Sequence, residues 1–194
     1  MINAPKVKVL GISGSLRKDS FNTAALREAI HLAPDGMEID LADISQIPIY
    51  NEDLYAKGFP PEVELLREQI RAADALLIAT PEYNYSVPGV LKNTIDWASR
   101  PPDQPFAGKP VAVMGASAGR FGTARAQYHL RQSMVFLDMR PLNQPELMIA
   151  TAQQVFDEQG NLIDEKTRGY LRSLLEGLLQ WILSHQCVAR GSGD

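Results

Sequence analysis

The chain has 194 residues, of which 45% are hydrophobic and 22% are charged. This balance is typical of a globular protein and excludes a disordered chain, which would lack the apolar surface needed to offset its ordering entropy. Its 19 Lys and Arg residues against 23 Asp and Glu residues give a net charge of −4. Proteins that coat nucleic acid or an anionic membrane have a basic surplus, so we expect no nucleic-acid partner and no membrane insertion.

Cysteine usage and apolar runs indicate the compartment. Cys187 is the single cysteine, so an intrachain disulfide is excluded. The longest aliphatic run, residues 75–79, is too short to cross a bilayer, and two lysines interrupt the apolar stretch within residues 1–10, which argues against a signal peptide. We expect a cytoplasmic protein with one domain over residues 1–190 and a loose tail over residues 191–194.

Strand-like and helix-like patterns alternate along the chain. Short apolar runs and alternating apolar and polar residues predict strands, whereas apolar residues three or four positions apart predict helices. Pro and Gly breakers predict a long loop over residues 44–60. The predicted strands are residues 7–12, 37–43, 75–79, 111–114 and 145–149, and the predicted helices cover residues 20–33, 63–73, 91–98, a segment that ends near residue 137, and a C-terminal segment with Leu171, Leu174, Leu175, Leu178 and Ile182 on one face.

This alternation, repeated about five times, indicates the α/β class. It predicts a mostly parallel sheet covered by helices on both faces, because parallel strands need crossover helices. Right-handed crossovers then give a doubly wound three-layer sandwich. Sheets of this kind bind ligands outside the carboxyl ends of their strands, at the point where the strand order reverses. The loops after the first, third and fourth strands therefore form the candidate site.

The loop after the first strand, residues 11–22, joins a strand to a helix and contains three serines, an asparagine and Arg17. Such a turn directs backbone N–H groups and the positive end of the helix dipole at one point, which favours a phosphate monoester. The loop matches neither the P-loop nor the dinucleotide-binding pattern, because Ser13, Leu16 and Arg17 stand where those patterns need other residues. The alternative is that Ser20 only caps the helix and that Arg17 is a solvated side chain.

The loop after the third strand, residues 80–89, contains two tyrosines, an asparagine and two prolines. A stiff, partly aromatic wall with polar edges suits a flat heteroaromatic ring, which needs faces to stack on and hydrogen-bonding groups at its rim. The alternative, a helix start headed by Pro88, explains the proline but not the tyrosines before it. In residues 115–123, small residues allow the backbone to approach a ligand closely, although a plain strand-to-helix turn has the same composition.

Two stretches together resemble a known family. Residues 14–22 follow the pattern G-S-L-R-x-x-S-x-N, and residues 81–97 contain P-E-Y-N followed by S-V-P-G-V-L-K-N-T-I-D-W. Both are similar to signatures of the NADPH-dependent FMN reductase family, and in particular of its bacterial quinone and chromate reductases. The resemblance runs from about residue 6 to residue 183. It implies a flavodoxin-like three-layer sandwich with a five-stranded parallel sheet in the order 2-1-3-4-5 and helices on both faces.

The resemblance also implies which residues bind FMN. The first loop would hold the phosphate, the third loop would border the isoalloxazine ring, partly through backbone groups, and the fourth loop would contact the pyrimidine end of the flavin. Lys92, Asn93, Asp96 and Trp97 would be framework residues of the following helix. The implied FMN ligands are Ser13, Ser15, Leu16, Arg17, Ser20 and Asn22 in the first loop, Pro81, Glu82, Tyr83, Asn84 and Tyr85 in the third, and Ser117 and Gly119 in the fourth.

A few further positions are linked to the acceptor and to assembly. Arg100, directly after the helix that follows the third loop, is a candidate contact for an anionic acceptor; the alternative is a solvated arginine at a helix C-terminus. Arg125, Tyr128 and Glu146 match positions that join dimers into a tetramer in related reductases, so we expect a homodimer or homotetramer. Residues 50–51 are expected to help cover the flavin of a neighbouring subunit.

The function implied by the resemblance is that of an FMN-dependent oxidoreductase with NADPH or NADH as co-substrate. Hydride would pass from nicotinamide C4 to flavin N5, and an acceptor would take two electrons at the same site in a ping-pong reaction. Quinones are the expected acceptors, with chromate, azo dyes or free flavins accepted promiscuously. No side chain is expected to be catalytic, and the three histidines lie on separate predicted helices without metal-ligand spacing.

Two other functional classes stay open. A flavodoxin-type electron carrier would bind FMN without oxidising NAD(P)H directly. Such carriers have a strongly acidic surface, whereas this chain has Arg17 in its phosphate loop and a net charge of only −4. A flavin-free scaffold or sensor with the same fold would lack the activity altogether. The intact loops favour the enzyme over both.

Overall fold

The computed structural model describes the backbone of residues 6–191 and the side chains of residues 6–185. Residues 192–194 of the expected tail and the side chain of Cys187 lie outside these described parts. The strands and helices follow in the order β1 (Val7–Ser13), α1 (Phe21–His31), β2 (Met37–Leu41), α2 (Glu52–Tyr55), α3 (Pro61–Ala72), β3 (Ala75–Ala79), α4 (Gly89–Ala98), β4 (Pro110–Ala116), α5 (Ala124–Phe136), β5 (Arg140–Pro141), β6 (Leu147–Ile149) and α6 (Glu165–Gly191).

The sheet is parallel in the order β2-β1-β3-β4-β5, as predicted, with β6 as an additional strand that pairs with β4. The single last strand expected over residues 145–149 is replaced by two short ones. β5 pairs with the beginning of β4 and β6 with its end, along the edge that β3 leaves free. Pro141 and Pro145 have no backbone N–H for a continuous ladder, which accounts for the interruption.

Both faces of the sheet are covered by helices. Side chains of β3 alternate between the two faces, so that Leu77 packs with α1 and α6 whereas Leu76 and Ile78 pack with α3, α4 and α5. All five residues of β3 are buried, which explains why the sequence shows a continuous apolar run there rather than an alternating one. The result is the three-layer sandwich expected from the sequence.

The first helix begins one residue later than predicted because Ser20 is its N-cap. The Ser20 hydroxyl oxygen accepts hydrogen bonds from the backbone N–H groups of Asn22 (3.2 Å) and Thr23 (3.4 Å). A cap of this kind stabilises a helix by about 1 kcal/mol. The buried face of α1 includes Leu26 and Ala29, whereas Ile30 is exposed.

The long segment expected to be a loop, residues 44–60, contains the one-turn helix α2 and is fixed to α4. The Pro48 carbonyl accepts hydrogen bonds from Asn93 Nδ2 (2.9 Å) and Trp97 Nε1 (2.8 Å), and the Tyr50 N–H donates to Asn93 Oδ1 (2.7 Å). Asn93 and Trp97 are thus framework residues, as expected. Within the part of the chain that the structure describes, no helix is both long enough and apolar enough to cross a membrane.

Candidate functional site

The loops that follow β1, β3 and β4 meet at the carboxyl edge of the sheet. The Gly14 N–H donates to the Ala79 carbonyl (2.8 Å), which joins the first loop to the end of β3. A Cβ atom at Gly14 would lie 3.1 Å from side-chain atoms of both Pro81 and Leu91, so glycine permits this close approach. Between the loops lies a cleft of about 270 Å³, lined by Ser15, Arg17, Ser20, Phe21, Asn22, Pro81, Glu82, Tyr83, Ala116, Ser117 and Ala118.

Arg17 is the cation at one end of this cleft. Its side chain is exposed, and its guanidinium lies 5.6 Å from the centre of the Phe21 ring. Among the residues whose side chains are described, no carboxylate lies within ion-pair distance of it. Ser15 Oγ accepts a hydrogen bond from the Arg17 N–H (3.3 Å) and so shapes the turn. Arg17 is therefore free to pair with an anionic ligand.

The side chains of Ser13, Ser20 and Asn22 form hydrogen bonds within the protein. Asn22 Nδ2 donates to the Ala116 carbonyl and Asn22 Oδ1 accepts from the Ala116 N–H, each at 2.9 Å, with Asn22 only 3% exposed. The Ser13 and Thr23 hydroxyls lie 2.8 Å apart. These contacts fix the first loop to the end of β4, and a direct role for the three side chains in ligand binding stays a prediction.

The third loop contains a tight turn over residues 83–86. Tyr83 and Ser86 exchange backbone hydrogen bonds of 3.2 and 3.0 Å. The two central residues, Asn84 and Tyr85, have φ values of 50° and 64°, the positive sign that a type I′ turn requires at both positions. Tyr83 is 55% exposed and Tyr85 66% exposed. The turn therefore presents two aromatic side chains beside the cleft.

Glu82 caps α5. Its carboxylate is 6% exposed, with Oε1 2.6 Å from Arg125 Nε, while Oε2 accepts from the N–H groups of Arg125 (3.0 Å) and Ala126 (3.1 Å). These N–H groups belong to the first turn of α5, and they donate to Glu82 rather than to the side chain of the N-cap residue Thr123. No sequence pattern predicts this contact, since the partners are more than forty positions apart.

The fourth loop continues the cleft. A second cavity of about 340 Å³ shares Glu82 and Ser117 with the first, and it is lined also by Tyr85, Gly119 and Arg125 among others. Ser117 Oγ accepts a hydrogen bond from the Gly119 N–H (3.0 Å). The joined cleft has a cation and hydroxyls at one end and tyrosines with backbone groups at the other. This donor set fits a phosphate ester that bears a flat ring.

Comparison with known proteins identifies the family. Residues 7–154 match the model of the NADPH-dependent FMN reductases. The chain belongs to the NADPH-dependent FMN reductase family. It is 70% identical over 176 residues to an NAD(P)H-dependent FMN reductase of Pseudomonas aeruginosa, covering 91% of this chain and 95% of that protein. It is 50% identical over 180 residues to a quinone reductase of Escherichia coli K12, covering 91% and 96% respectively.

A solved structure supports the same family assignment. The chain superimposes on FerB, a flavoenzyme NAD(P)H:(acceptor) oxidoreductase of Paracoccus denitrificans, with a TM-score of 0.84 and 38% identity. The match covers 92% of this chain and 98% of FerB. The chain is therefore an oxidoreductase with a flavodoxin-like fold, FMN as its cofactor and NAD(P)H as its co-substrate.

Arg100, the candidate acceptor contact, lies at the end of α4 opposite the third loop. The ten residues of α4 separate the two by ~15 Å along the helix axis. Arg100 Nε donates to the Asp96 carbonyl (3.0 Å), Nη2 lies 3.2 Å from Ser99 Oγ, and the guanidinium is 5.5 Å from the centre of the Tyr50 ring. These contacts are those of an arginine at a helix C-terminus, and a role in acceptor binding stays a prediction.

Two contacts involve the three residues expected at a subunit interface. Tyr128 Oη donates to Glu146 Oε2 (3.3 Å), and this hydrogen bond raises the pKa of the Tyr128 hydroxyl. Arg125 contacts Glu82 and Tyr85 of the same chain. His129, on the same helix, has Nδ1 3.1 Å from Ser86 Oγ.

Among the described residues, no three His, Cys, Asp or Glu side chains are grouped to hold a metal ion.

Proposed function

We propose that this chain catalyses the two-electron reduction of quinones by NADPH or NADH in a ping-pong reaction. The observation that supports it is the joined cleft, with Arg17 at one end and the tyrosine turn at the other. Among the described side chains, no carboxylate pairs with Arg17. The relatives named FMN reductase and quinone reductase support the same acceptor class. We further propose that chromate, azo dyes or free flavins are accepted promiscuously.

The residues of the chain would bind and orient FMN, which when bound exchanges a hydride with NAD(P)H and electrons with an acceptor. Arg17 and the positive end of α1 would hold the phosphate, since both favour an anion at that point. Tyr83 and Tyr85 would border the ring at a turn whose geometry is fixed by backbone hydrogen bonds. All the FMN ligands implied by the family resemblance are part of this proposal.

The breadth of acceptors would follow from the shape of the cleft. The tyrosines and Phe121 are exposed beside it, so a planar acceptor can reach the ring end without displacing a buried side chain. A shared position for NAD(P)H and the acceptor makes the two half-reactions consecutive. Hydride transfer is then promoted by holding the reactants in contact rather than by an acidic or basic side chain.

The assembly and location of the protein are part of the same proposal. We propose one domain over residues 1–190 that forms a homodimer or homotetramer in the cytoplasm. The expected association of subunits is supported by three exposed side chains on α5, those of Tyr128, Val135 and Phe136, since large exposed apolar side chains favour association.

An absorbance titration of the purified protein tests the proposal. Flavin bands near about 375 and 450 nm should bleach on anaerobic addition of NADPH and return with benzoquinone. Initial rates at several fixed NADPH concentrations should give parallel double-reciprocal lines. Bound FMN that stays yellow with NADPH would indicate an electron carrier instead, and a protein that cannot be loaded with FMN would overturn the assignment of the cleft.

A further inference from the structure

Arg125 lies between two parts of the third loop. Its Nε is 2.6 Å from Glu82 Oε1, before the tight turn, and its guanidinium is 3.7 Å from the centre of the Tyr85 ring, within the turn. The Phe121 ring lies on it as well, with its centre 5.1 Å away. One side chain of α5 thus contacts the loop on both sides of Tyr83.

The position of Glu82 makes this contact necessary. A carboxylate that is 6% exposed loses most of its hydration, so its charge must be balanced inside the protein. The two N–H groups of α5 that donate to Oε2 supply part of this balance, and the Arg125 guanidinium opposite Oε1 supplies the rest. Removing Arg125 would leave Glu82 with an unbalanced charge and favour its movement towards water.

The turn also needs support at Tyr85. Its φ of 64° is uncommon for a residue with a side chain, because the left-handed conformation brings Cβ close to the backbone. The planar guanidinium stacked on the ring provides an attraction that offsets part of this steric cost. Without the Arg125 contact, Tyr85 would be favoured to return to negative φ, and this change would move its side chain.

We propose that Arg125 is a positioning residue of the flavin site, which fixes the third loop through Glu82 and Tyr85 within its own chain. The proposal rests on the proposed function and is distinct from the expected role of Arg125 in joining subunits. Arg125 would act on FMN and on the acceptor by holding the loop beside the cavity that its own side chain also lines. Its loss should therefore change binding at the ring and leave phosphate binding intact.

The test compares Arg125→Met and Arg125→Lys with the wild-type protein loaded with FMN. Met keeps the length of the side chain without its charge, and Lys keeps the charge without the planar face. Arg172→Met, at an exposed position on α6, removes the same charge elsewhere and serves as the control. The measurements are the FMN dissociation constant by fluorescence quenching, the visible circular dichroism of bound FMN, KM and kcat for benzoquinone, and the sedimentation coefficient.

Arg125→Met is expected to weaken FMN binding about tenfold, to change the visible dichroism of bound FMN and to raise KM for benzoquinone more than it lowers kcat. Arg125→Lys should lie between this variant and the wild type, and Arg172→Met should match the wild type. Riboflavin, which lacks the phosphate, should show the same relative loss of affinity as FMN. The proposal is overturned if both Arg125 variants keep wild-type binding and dichroism.

It is overturned too if the losses disappear once wild type and variant are compared at concentrations that give the same sedimentation coefficient, because the residue would then act through assembly. Should Arg125→Met not fold, as shown by its melting curve, Arg125→Lys decides the matter by the same readouts. Failure of the proposed function would look different: the wild-type protein itself would not bind FMN or would not oxidise NADPH.

Discussion

Two arginines illustrate how the ends of the sheet differ. Arg67, on α3, is 1% exposed, and its guanidinium donates to three carbonyls at and after the end of α4, those of Ala98 (2.6 Å), Arg100 (2.7 Å) and Asp103 (2.9 Å). Burial lowers the pKa of Arg67, because it disfavours the charged form. Arg17, at the carboxyl edge of the sheet, is exposed, and among the side chains that the structure describes it contacts the Phe21 ring and its own loop.

The difference distinguishes an arginine that stabilises the fold from one that is available to bind a ligand. A buried arginine that donates to several backbone carbonyls, as Arg67 does, uses its charge within the fold. Where the fold leaves the guanidinium without a carboxylate, the charge is available to a ligand. Loss of Arg67 should therefore reduce stability, whereas loss of Arg17 should reduce binding, and substitutions at the two ends can separate these effects.

The largest effect is expected for Arg67→Met. Three carbonyls would lose a charged donor, and we expect the free energy of unfolding to fall by about 3 kcal/mol. Urea denaturation measures this, with Arg71→Met as the control, since Arg71 lies on the same helix but its ion pairs are partly exposed. A loss for Arg67→Met no larger than that of the control would contradict the structural role.

The next effect concerns a buried amide at the ligand end. Asn22→Ala would leave the Ala116 N–H and carbonyl without partners, which should lower the free energy of unfolding by about 2 kcal/mol. FMN affinity should fall as well, because the end of β4 is no longer fixed to the first loop. Denaturation and FMN titration check both, with the exposed substitution Asn161→Ala as reference. Unchanged stability would show that Asn22 does not hold β4.

The third effect separates binding from stability. Arg17→Met should weaken FMN binding about tenfold, the expected loss of one charge-assisted contact to phosphate, and leave the melting temperature of the FMN-free protein unchanged. Titrations at rising salt should show a weaker salt dependence for the variant. Equal affinities for wild type and variant would mean that Arg17 is a solvated side chain, the alternative left open by the sequence.

The smallest effect is expected for Lys92→Ala on α4. Its ion pair with Asp96, one helical turn away, is 2.7 Å long but exposed, and such pairs stabilise a helix by about 0.3–0.5 kcal/mol. FMN affinity and kcat should stay at wild-type values, because Lys92 lies outside the cleft. A large loss of activity would show that the helix framework and the flavin site are more closely coupled than their contacts indicate.

Local patterns in the sequence were sufficient for most of the fold. The apolar run of β3 and the spacing of Leu66 and Ile70 in α3 depend on residues close in the chain, so periodicity predicted both. The short helix α2 was missed because four residues are too few to show a helical period. The divided last strand was missed since its two parts are defined by pairing with β4 rather than by their own composition.

Side-chain partners at the site were harder to predict. The loops could be identified, because strand ends and unusual residues coincide in the sequence. Asn22 and Glu82 are both expected among the FMN ligands, which stays a prediction. The structure shows in addition that the Asn22 amide is bonded to Ala116 and the Glu82 carboxylate to the first turn of α5. Such long-range pairs depend on tertiary structure, and a single sequence contains no signal for them.

The division of the last strand has a consequence for behaviour at high protein concentration. An outer strand with free N–H and carbonyl groups can recruit a strand of another molecule and start aggregation. Here one edge of the sheet is formed by β5 and β6, which are two and three residues long, and Pro141 lacks the N–H that an added strand would need. At the opposite edge, β2 presents the exposed carboxylates of Glu38 and Asp40. Both borders of the sheet thus discourage the growth of intermolecular β-structure.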